Sequence, residues 1–412
     1  MNIKQIVSKD YSNRAIALLK TNKRIILNLA TGVGKSKIAI DCINSYNYDN
    51  IKVLFIVAER AHKKNWKEEF AKWKLITDNY RIECYNSLHK CLEDNYDIVI
   101  FDEAHHLCTP LRFMYHDNVK AKKFIYLSAT SKFELLEHLN AIDYKMPPVI
   151  YCSLKKAIEQ KVLPTPKVEI HMLSLNDSIP SEYYIEYIGC TEKSFNPKTM
   201  IMYECNYNRR MEYFRTSFLI RERKYAVKVY CTQQEKYNYY NRIIEEYKNT
   251  YLATREEWAK IKWLRAGSER KRFLGTIKTN YAKDLIKTLN NKRFICFCTS
   301  IDQANKIGNK NNIIHSKVKN PLNVIESFNN KDINSLVAVG MLQEGQNLKD
   351  IECGIIVQLD GKEGPFIQKF GRTLRSEHPV QYIICIKGTQ DNVYLERVIK
   401  NLDPNHVKYI EV

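Results

Sequence analysis

Cysteine pairs at zinc-ligand spacing are missing from this chain. Its twelve cysteines are scattered through 412 residues without a CxxC pair or a Cys/His cluster, and they read as reduced thiols of a cytosolic protein. Long apolar runs are missing as well. None approaches the roughly 18 residues of a membrane span, and the N-terminal MNIKQIVSKDYSNR has no apolar core of signal-peptide length. The expectation is a soluble protein, with no membrane partner, in the cytoplasm of a bacterium or a phage-infected host. Glycine (13) and proline (11) are few while Lys, Asn, Ile and Tyr abound, as an AT-rich coding genome produces, which points to a phage or a low-GC bacterium. Acidic residues are in deficit, 46 against 65 Lys and Arg. The resulting formal charge of +19 suits a polyanion such as DNA or RNA, although a merely soluble basic protein would show it too.

What is present is a series of short β-branched runs separated by helical stretches: RIILNLA from Arg24, KVLFIVA from Lys52, DIVIFDEA from Asp97 and KFIYLSAT from Lys123. Such runs are the strands of a parallel α/β sheet covered on both faces. A second series, RFICFCTS from Arg293, SLVAVG from Ser335, CGIIVQLD from Cys353 and VQYIICIKG from Val380, predicts a second sheet of the same type. Leu163, Pro164, Thr165 and Pro166 form the candidate linker. The predicted division is a first lobe over 1–164 and a second over 165–412, the latter carrying a largely helical insertion at about 176–291. In that insertion Thr232 with Glu235 makes a capping box ahead of the stripe Tyr237, Tyr240, Ile244, Tyr247 and Tyr251. A second box, Thr254 with Glu257, is expected to open a helix carrying Trp258 and Ile261, and a third stripe runs through Leu274, Ile277, Tyr281 and Leu285.

ATGVGKS, Ala30 to Ser36, follows a predicted strand and precedes a helical segment, the context a P-loop needs. Gly32 and Gly34 let the backbone N–H groups of Thr31 to Ser36, Val33 included, close around phosphates at a helix N-terminus. Lys35 would reach the β and γ phosphates of ATP, and Ser36 would ligate Mg²⁺. Leu29 stands where the standard motif has its first glycine. In DIVIFDEAHH a strand ends in two acids, where an open α/β sheet binds its ligand. Asp102 can hold the hydrated Mg²⁺ and Glu103 can orient and deprotonate the attacking water. Without the P-loop the same acids would fit an acidic strand end leading into a helix cap.

Together with later elements these segments resemble superfamily 2 helicases and translocases, a likeness that runs in order across both lobes. ATGVGKS resembles motif I, FDEAH motif II, and Ser128, Ala129, Thr130 motif III. VLFIVAERAHKKNWKEEF is similar to motif Ia, FICFCTSIDQA to motif IV, GMLQEGQNL (Gly340 to Leu348) to motif V, and QKFGRTLR (Gln368 to Arg375) to motif VI. The resemblance implies two RecA-like parallel-sheet lobes clamping one ATP, with Gln368 positioning the γ phosphate or the water and Arg372 and Arg375 as fingers. The chemical reason for the arginines stands apart from any name: guanidinium groups delivered by a second lobe stabilise the charge that spreads over the γ-phosphoryl oxygens. KDYSNRAI resembles the adenine-recognition element, so Tyr11 joins the candidate nucleotide-binding residues. There Ser12 replaces the usual Gln. Gly345 of motif V joins them too, and Asn347 stands where an acid is common.

The implied activity is an ATP-dependent DNA helicase or translocase, of the DEAH type and resembling phage enzymes that remodel forks and branched DNA, working as a monomer. A duplex translocase without strand separation, an RNA helicase and a hydrolysis-deficient nucleic-acid binding module remain alternatives. Lys63, Lys64 and Lys67 beside motif Ia are candidate backbone contacts, and equally fit a solvated helix face. Arg270, Lys271 and Arg272, with Arg265, form a basic cluster on the insertion suited to phosphates. Helical spacing assigns Trp258 to the core and leaves Trp263 open to either role.

Overall fold

The computed structural model describes residues 3–46, 50–130, 132–177, 182–189, 203–205, 209–214, 224–340, 348–361, 363–374, 376–400 and 402–412. Arg24–Leu29 (β1), Val53–Val57 (β2), Tyr80–Cys84 (β3), Asn95–Phe101 (β4), Lys120–Ser128 (β5) and Val149–Cys152 (β6) form a six-stranded sheet ordered β3-β2-β4-β5-β1-β6. Its ladders are parallel. β2 shows why. VLFIV is buried at every position, which a strand tolerates only when helices cover both faces of its sheet. β3 and β6, the two edges, lie outside the predicted runs because YRIEC and VIYC bury only some of their residues.

Register sets up the site. Phe101 of β4 pairs with Tyr126 of β5, and Asn28 of β1 pairs with Ser128 of β5. The C-terminal ends of three neighbouring strands therefore stand level, which is where parallel α/β sheets gather ligands. The helix Arg60–Trp73 covers β2 through His62, Trp66 and Phe70, buried residues four apart. Trp66 and Phe70 lie 4.8 and 4.7 Å from Phe55 between ring centroids.

Past Pro164 to Pro166 the chain enters a second sheet with Lys167–Leu173 (β7). It leaves for Glu182–Gly189 (β8), Tyr203–Cys205 (β9), Arg209–Phe214 (β10) and Lys224–Cys231 (β11), then returns. Phe294–Cys298 (β12), Ile313–Ile314 (β13), Ser335–Val339 (β14), Cys353–Ile356 (β15), Val380–Ile386 (β16) and Val407–Glu411 (β17) complete the order β13-β14-β12-β15-β16-β7-β17. The ladders joining β12 to β16 and β13 to β14 are parallel. Two parallel-sheet lobes are thus present.

Both sheets belong to one compact unit, comprising Met1–His171, Thr279–Cys385 and Gln390–Glu411. Met172–Lys278, with Ile386–Thr389 and Val412, forms a second. This second unit holds the two long helices Gln233–Thr254 and Glu257–Ile277, preceded by an antiparallel sheet ordered β8-β11-β10-β9 that apolar periodicity had not revealed. Its strands are rich in Tyr, Lys and Arg rather than in continuous apolar runs.

The Thr232 and Glu235 capping box forms, and Tyr237 is buried below it. The Thr254 box does not. Thr254 is still the last residue of the preceding helix, its hydroxyl donating to Thr250 O and accepting from Glu256 N, while Arg255 takes a left-handed φ of 57°. A helical hairpin results, with Glu257 starting the second arm. The expected third stripe is divided by a helix break at Lys278: Leu274 and Ile277 close the hairpin arm, while Tyr281 and Leu285 lie on Thr279–Lys287 in the first unit.

Candidate active site

The P-loop leaves β1 at Leu29. Ala30 N donates to Cys152 O at 2.9 Å and Val33 N to Ala30 O at 3.3 Å, and the loop enters the helix Lys35–Asn44 at Gly34. Gly32 and Gly34 have φ of 91° and 108°, a region L side chains rarely adopt, so the loop needs glycine at both positions. Val33 is buried, whereas Thr31 and Ser36 are partly accessible. Lys35 Nζ donates to Leu29 O at 3.1 Å, so the residue that replaces the motif's first glycine contributes its carbonyl to hold the lysine over the loop.

One row away, Asp102 N donates to Ile56 O at 2.8 Å, fixing the end of β4. Asp102 Oδ1 accepts from Glu103 N at 3.0 Å and Oδ2 accepts from Trp66 Nε1 at 2.9 Å, while Tyr85 donates its hydroxyl to Asp102 O at 2.8 Å. Burial first, and then the Glu103 carboxylate, push the Asp102 carboxyl above its ordinary range; His62, the Trp66 bond and Lys35 pull it back. Glu103 takes a φ of 49°, and its buried Oε2 accepts no hydrogen bond from the described residues, with His105 Nδ1 3.5 Å away. Two adjacent acids in a buried site fit a cation, and Asp102 with Ser36 offers the hard oxygen donors Mg²⁺ takes. The unsatisfied Glu103 oxygen fits a group that polarises water. Ser128 of motif III closes a turn, its Oγ donating to Thr130 O at 2.6 Å and accepting from Thr130 N at 3.2 Å.

The helix Glu363–Thr373 of motif VI meets both rows. A Cβ on Gly371 would lie 2.8 Å from Thr31 Cβ, and one on Gly364 would lie 3.4 Å from Thr130 Oγ1. Gln368 and Arg372 are buried on this helix, and Lys369 Nζ pairs with Asp360 Oδ2 at 2.5 Å. Arg375, Gly345 and Asn347 lie outside the described residues.

Other predicted residues sit apart from this arrangement. Tyr11 is 2% exposed and donates its hydroxyl to Gln160 Oε1 at 3.2 Å, so it serves the core and presents no open ring face to adenine. Ser12 donates to Asp41 Oδ2 at 2.5 Å, an acid that Lys37 also holds. Beside motif Ia, Lys63 pairs with Glu83 at 3.0 Å and Lys64 with Glu326 at 3.1 Å, the latter bridging to the helix Pro321–Asn329; Lys67 is exposed. On the hairpin, Arg270 is partly buried, donating to Asn241 Oδ1 at 2.6 Å across the two arms, while Lys271 is partly buried and Arg272 exposed. Arg265 pairs with Glu269 at 3.0 Å. Trp258 is 47% exposed, which overturns its assignment to the core: the hairpin arm buries Ala259, Ala266 and Phe273 instead. Trp263 is partly buried against Tyr251. His62 and Trp66 were missed as site residues. Their i, i+4 spacing with Phe70 marked a buried face, but nothing in the sequence said that the face ends on Asp102.

Parts of the chain are similar to known proteins. Residues 277–377 match the helicase conserved C-terminal domain and residues 3–91 match the res subunit of type III restriction enzymes. A protein of Acanthamoeba polyphaga mimivirus, named as a candidate ATP-dependent RNA helicase, is 26% identical over 133 residues, covering 30% of this chain and 29% of that protein. The chain thus spans under a third of the length of that relative. Among solved structures, Saccharomyces cerevisiae Dbp5 bound to RNA and ADP BeF3 is similar at 10% identity, with 97% of this chain and 89% of that one covered and a TM-score of 0.56. The Pyrococcus furiosus Hef helicase domain matches at 14% identity, 96% and 97% coverage and a TM-score of 0.48. The likeness to Dbp5 is one of fold, two RecA-like lobes, and the domain matches are confined to residues 3–91 and 277–377. No helix among the described residues is long and apolar enough to cross a membrane.

Proposed function

We propose that this chain is a DEAH-type, ATP-dependent DNA helicase or translocase that remodels forked or branched DNA, acting as a monomer in a bacterial or phage-infected cytoplasm. The observation that carries the reading is the approach of Gly371 to Thr31, which sets motif VI against the P-loop. Lys35 exchanges its bond to Leu29 O for the phosphates, and the amides from Thr31 to Ser36 bind their oxygens. Ser36 and Asp102 would hold Mg²⁺, which neutralises phosphate charge when bound. Glu103 orients the attacking water and accepts its proton, Gln368 steadies the γ phosphate or that water, and Arg372, joined by Arg375, stabilises the charge developing on the transferred group. Closing and reopening of the lobes would then move a strand held chiefly by its backbone, so binding should weaken steeply with salt.

A second reading, an RNA helicase, is favoured by the names of the mimiviral and yeast proteins. ATP hydrolysis measured with single-stranded, duplex and forked DNA and with RNA decides between them. Greatest stimulation by forked DNA is the expected result; stimulation by RNA alone would replace the first reading with the second, and stimulation by none would leave a binding module.

A further inference from the structure

Outside the nucleotide site, three ligating side chains converge on one another. His116 Nδ1 and His138 Nε2 each lie 2.8 Å from Asp117 Oδ1, and the three atoms fall within 4.8 Å of one another. We propose that His116, Asp117 and His138 form a site for one divalent ion of the zinc class, distinct from the Mg²⁺ of ATP hydrolysis. Two imidazoles and a carboxylate are the donor set that borderline ions such as Zn²⁺ and Co²⁺ take, whereas Mg²⁺ prefers oxygen alone. Ligands at about 2.0 to 2.1 Å from a tetrahedral zinc stand roughly 3.3 Å apart, so the two 2.8 Å contacts to Asp117 would open slightly and the two ring nitrogens, within 4.8 Å of one another, would settle at that spacing.

The surroundings fit a built site. His116 is 1% exposed, and its Nε2 meets Tyr126 Oη at 2.8 Å, the outer partner that orients a metal-bound imidazole. Phe113 stacks on His138 with centroids 3.8 Å apart and fixes that ring's plane. Asp117 keeps 40% of its side chain accessible, leaving an open side for a water as fourth ligand. Arg24, a cation beside the cluster, is paired with Asp143 and hydrogen-bonds the Tyr126 hydroxyl. Each neutral ring would bind through the nitrogen that faces Asp117 and keep its N–H on the other nitrogen, which for His116 faces Tyr126. His116 and Asp117 end the helix Pro110–Asp117 that follows motif II, while His138 lies in Phe133–Asp143, which follows motif III. The ion ties these two segments together.

Titration of the full chain with Co²⁺, followed by visible absorption, tests the site. The expected result is one equivalent bound with the d–d bands of a tetrahedral N/O centre. His138→Ala and Asp117→Asn, both at accessible positions, should lose that equivalent and its bands. Tyr126→Phe, which keeps the ring but removes the outer hydrogen bond, should retain the stoichiometry and weaken Zn²⁺ competition at least tenfold. Equal uptake and equal spectra in wild type and His138→Ala, or absence of tetrahedral bands from the wild type, would overturn the proposal.

Discussion

Trp66 donates its indole N–H to Asp102 Oδ2 at 2.9 Å, which ties the motif Ia helix to the acid at the end of β4. The bond gives movement of that helix a direct line to the nucleotide site. Trp66→Phe keeps most of the ring packing on Phe55 and removes only the donor. Outer-shell partners of this kind are worth roughly ten- to a hundredfold in metal affinity or activity, and stimulated ATP hydrolysis should fall by that range while far-UV dichroism stays unchanged. A variant with normal stimulation would show the bond to be packing alone.

Lys35 and Glu103 should separate binding from chemistry. Lys35→Ala removes a ground-state phosphate contact, whereas Glu103→Gln keeps the shape of a group that acts on the water. Both variants are expected to stop turnover, and only the first to lose ATP affinity, as measured with a fluorescent ATP analogue. Equal loss of affinity in both would contradict the assigned roles.

Arg372→Ala tests the finger, with ATP hydrolysis expected to slow by roughly three to five orders of magnitude in a folded protein. Gly371→Ala tests the approach of motif VI to the P-loop. Helix propensity alone favours alanine by about 1 kcal/mol, yet the new Cβ would meet Thr31 Cβ at 2.8 Å. Hydrolysis should drop, and Thr31→Gly in the same chain should restore part of it. Undiminished hydrolysis by Gly371→Ala would remove the contact from the mechanism.

Asp102 carries a stability cost that follows from its setting. Its folded-state carboxyl is held above the ordinary range by burial and then by Glu103, so its contribution to stability is present below the unfolded pKa and lost as pH rises through the folded one. In metal-free, nucleotide-free protein Asp102→Asn should therefore be the more stable form at neutral pH, with the gap closing on acidification. Urea midpoints of both proteins across pH check this. A gap that widens towards low pH would reverse the assignment.

How far the sequence reached follows from which contacts are local. The P-loop and the acidic strand end were legible as patterns because their residues are consecutive in the chain: Gly34 and Lys35 adjoin at the start of the helix that follows β1, and Asp102 and Glu103 adjoin at the end of β4. Trp66 against Asp102, Gly371 against Thr31 and His138 against Asp117 join residues from separate elements, and no periodicity encodes which ends meet. β3 and β6 escaped because edge strands bury too little to leave an apolar run. Trp258 was misassigned because spacing reports which residues share a helix face, not whether a second element covers it.

That exposed face leads to the last prediction. Trp258, Ile261, Arg265 and Arg272 recur at intervals of three, four and seven along Glu257–Ile277, and all four are exposed. An aromatic ring and guanidinium groups on one helix face are what unpaired bases and phosphates bind, with stacking worth roughly 1 to 3 kcal/mol per base. Arg270 is a poor probe of this surface, since its bond to Asn241 holds the hairpin arms together and its loss would disturb packing. Trp258→Ala with Arg272→Ala changes accessible positions only. If the hairpin contacts the branched part of the substrate, the pair should weaken fork binding at least tenfold and slow unwinding, leaving ATP hydrolysis driven by single strands intact. Normal fork binding would make the hairpin scaffold; equal loss with single strands would place it on the main track.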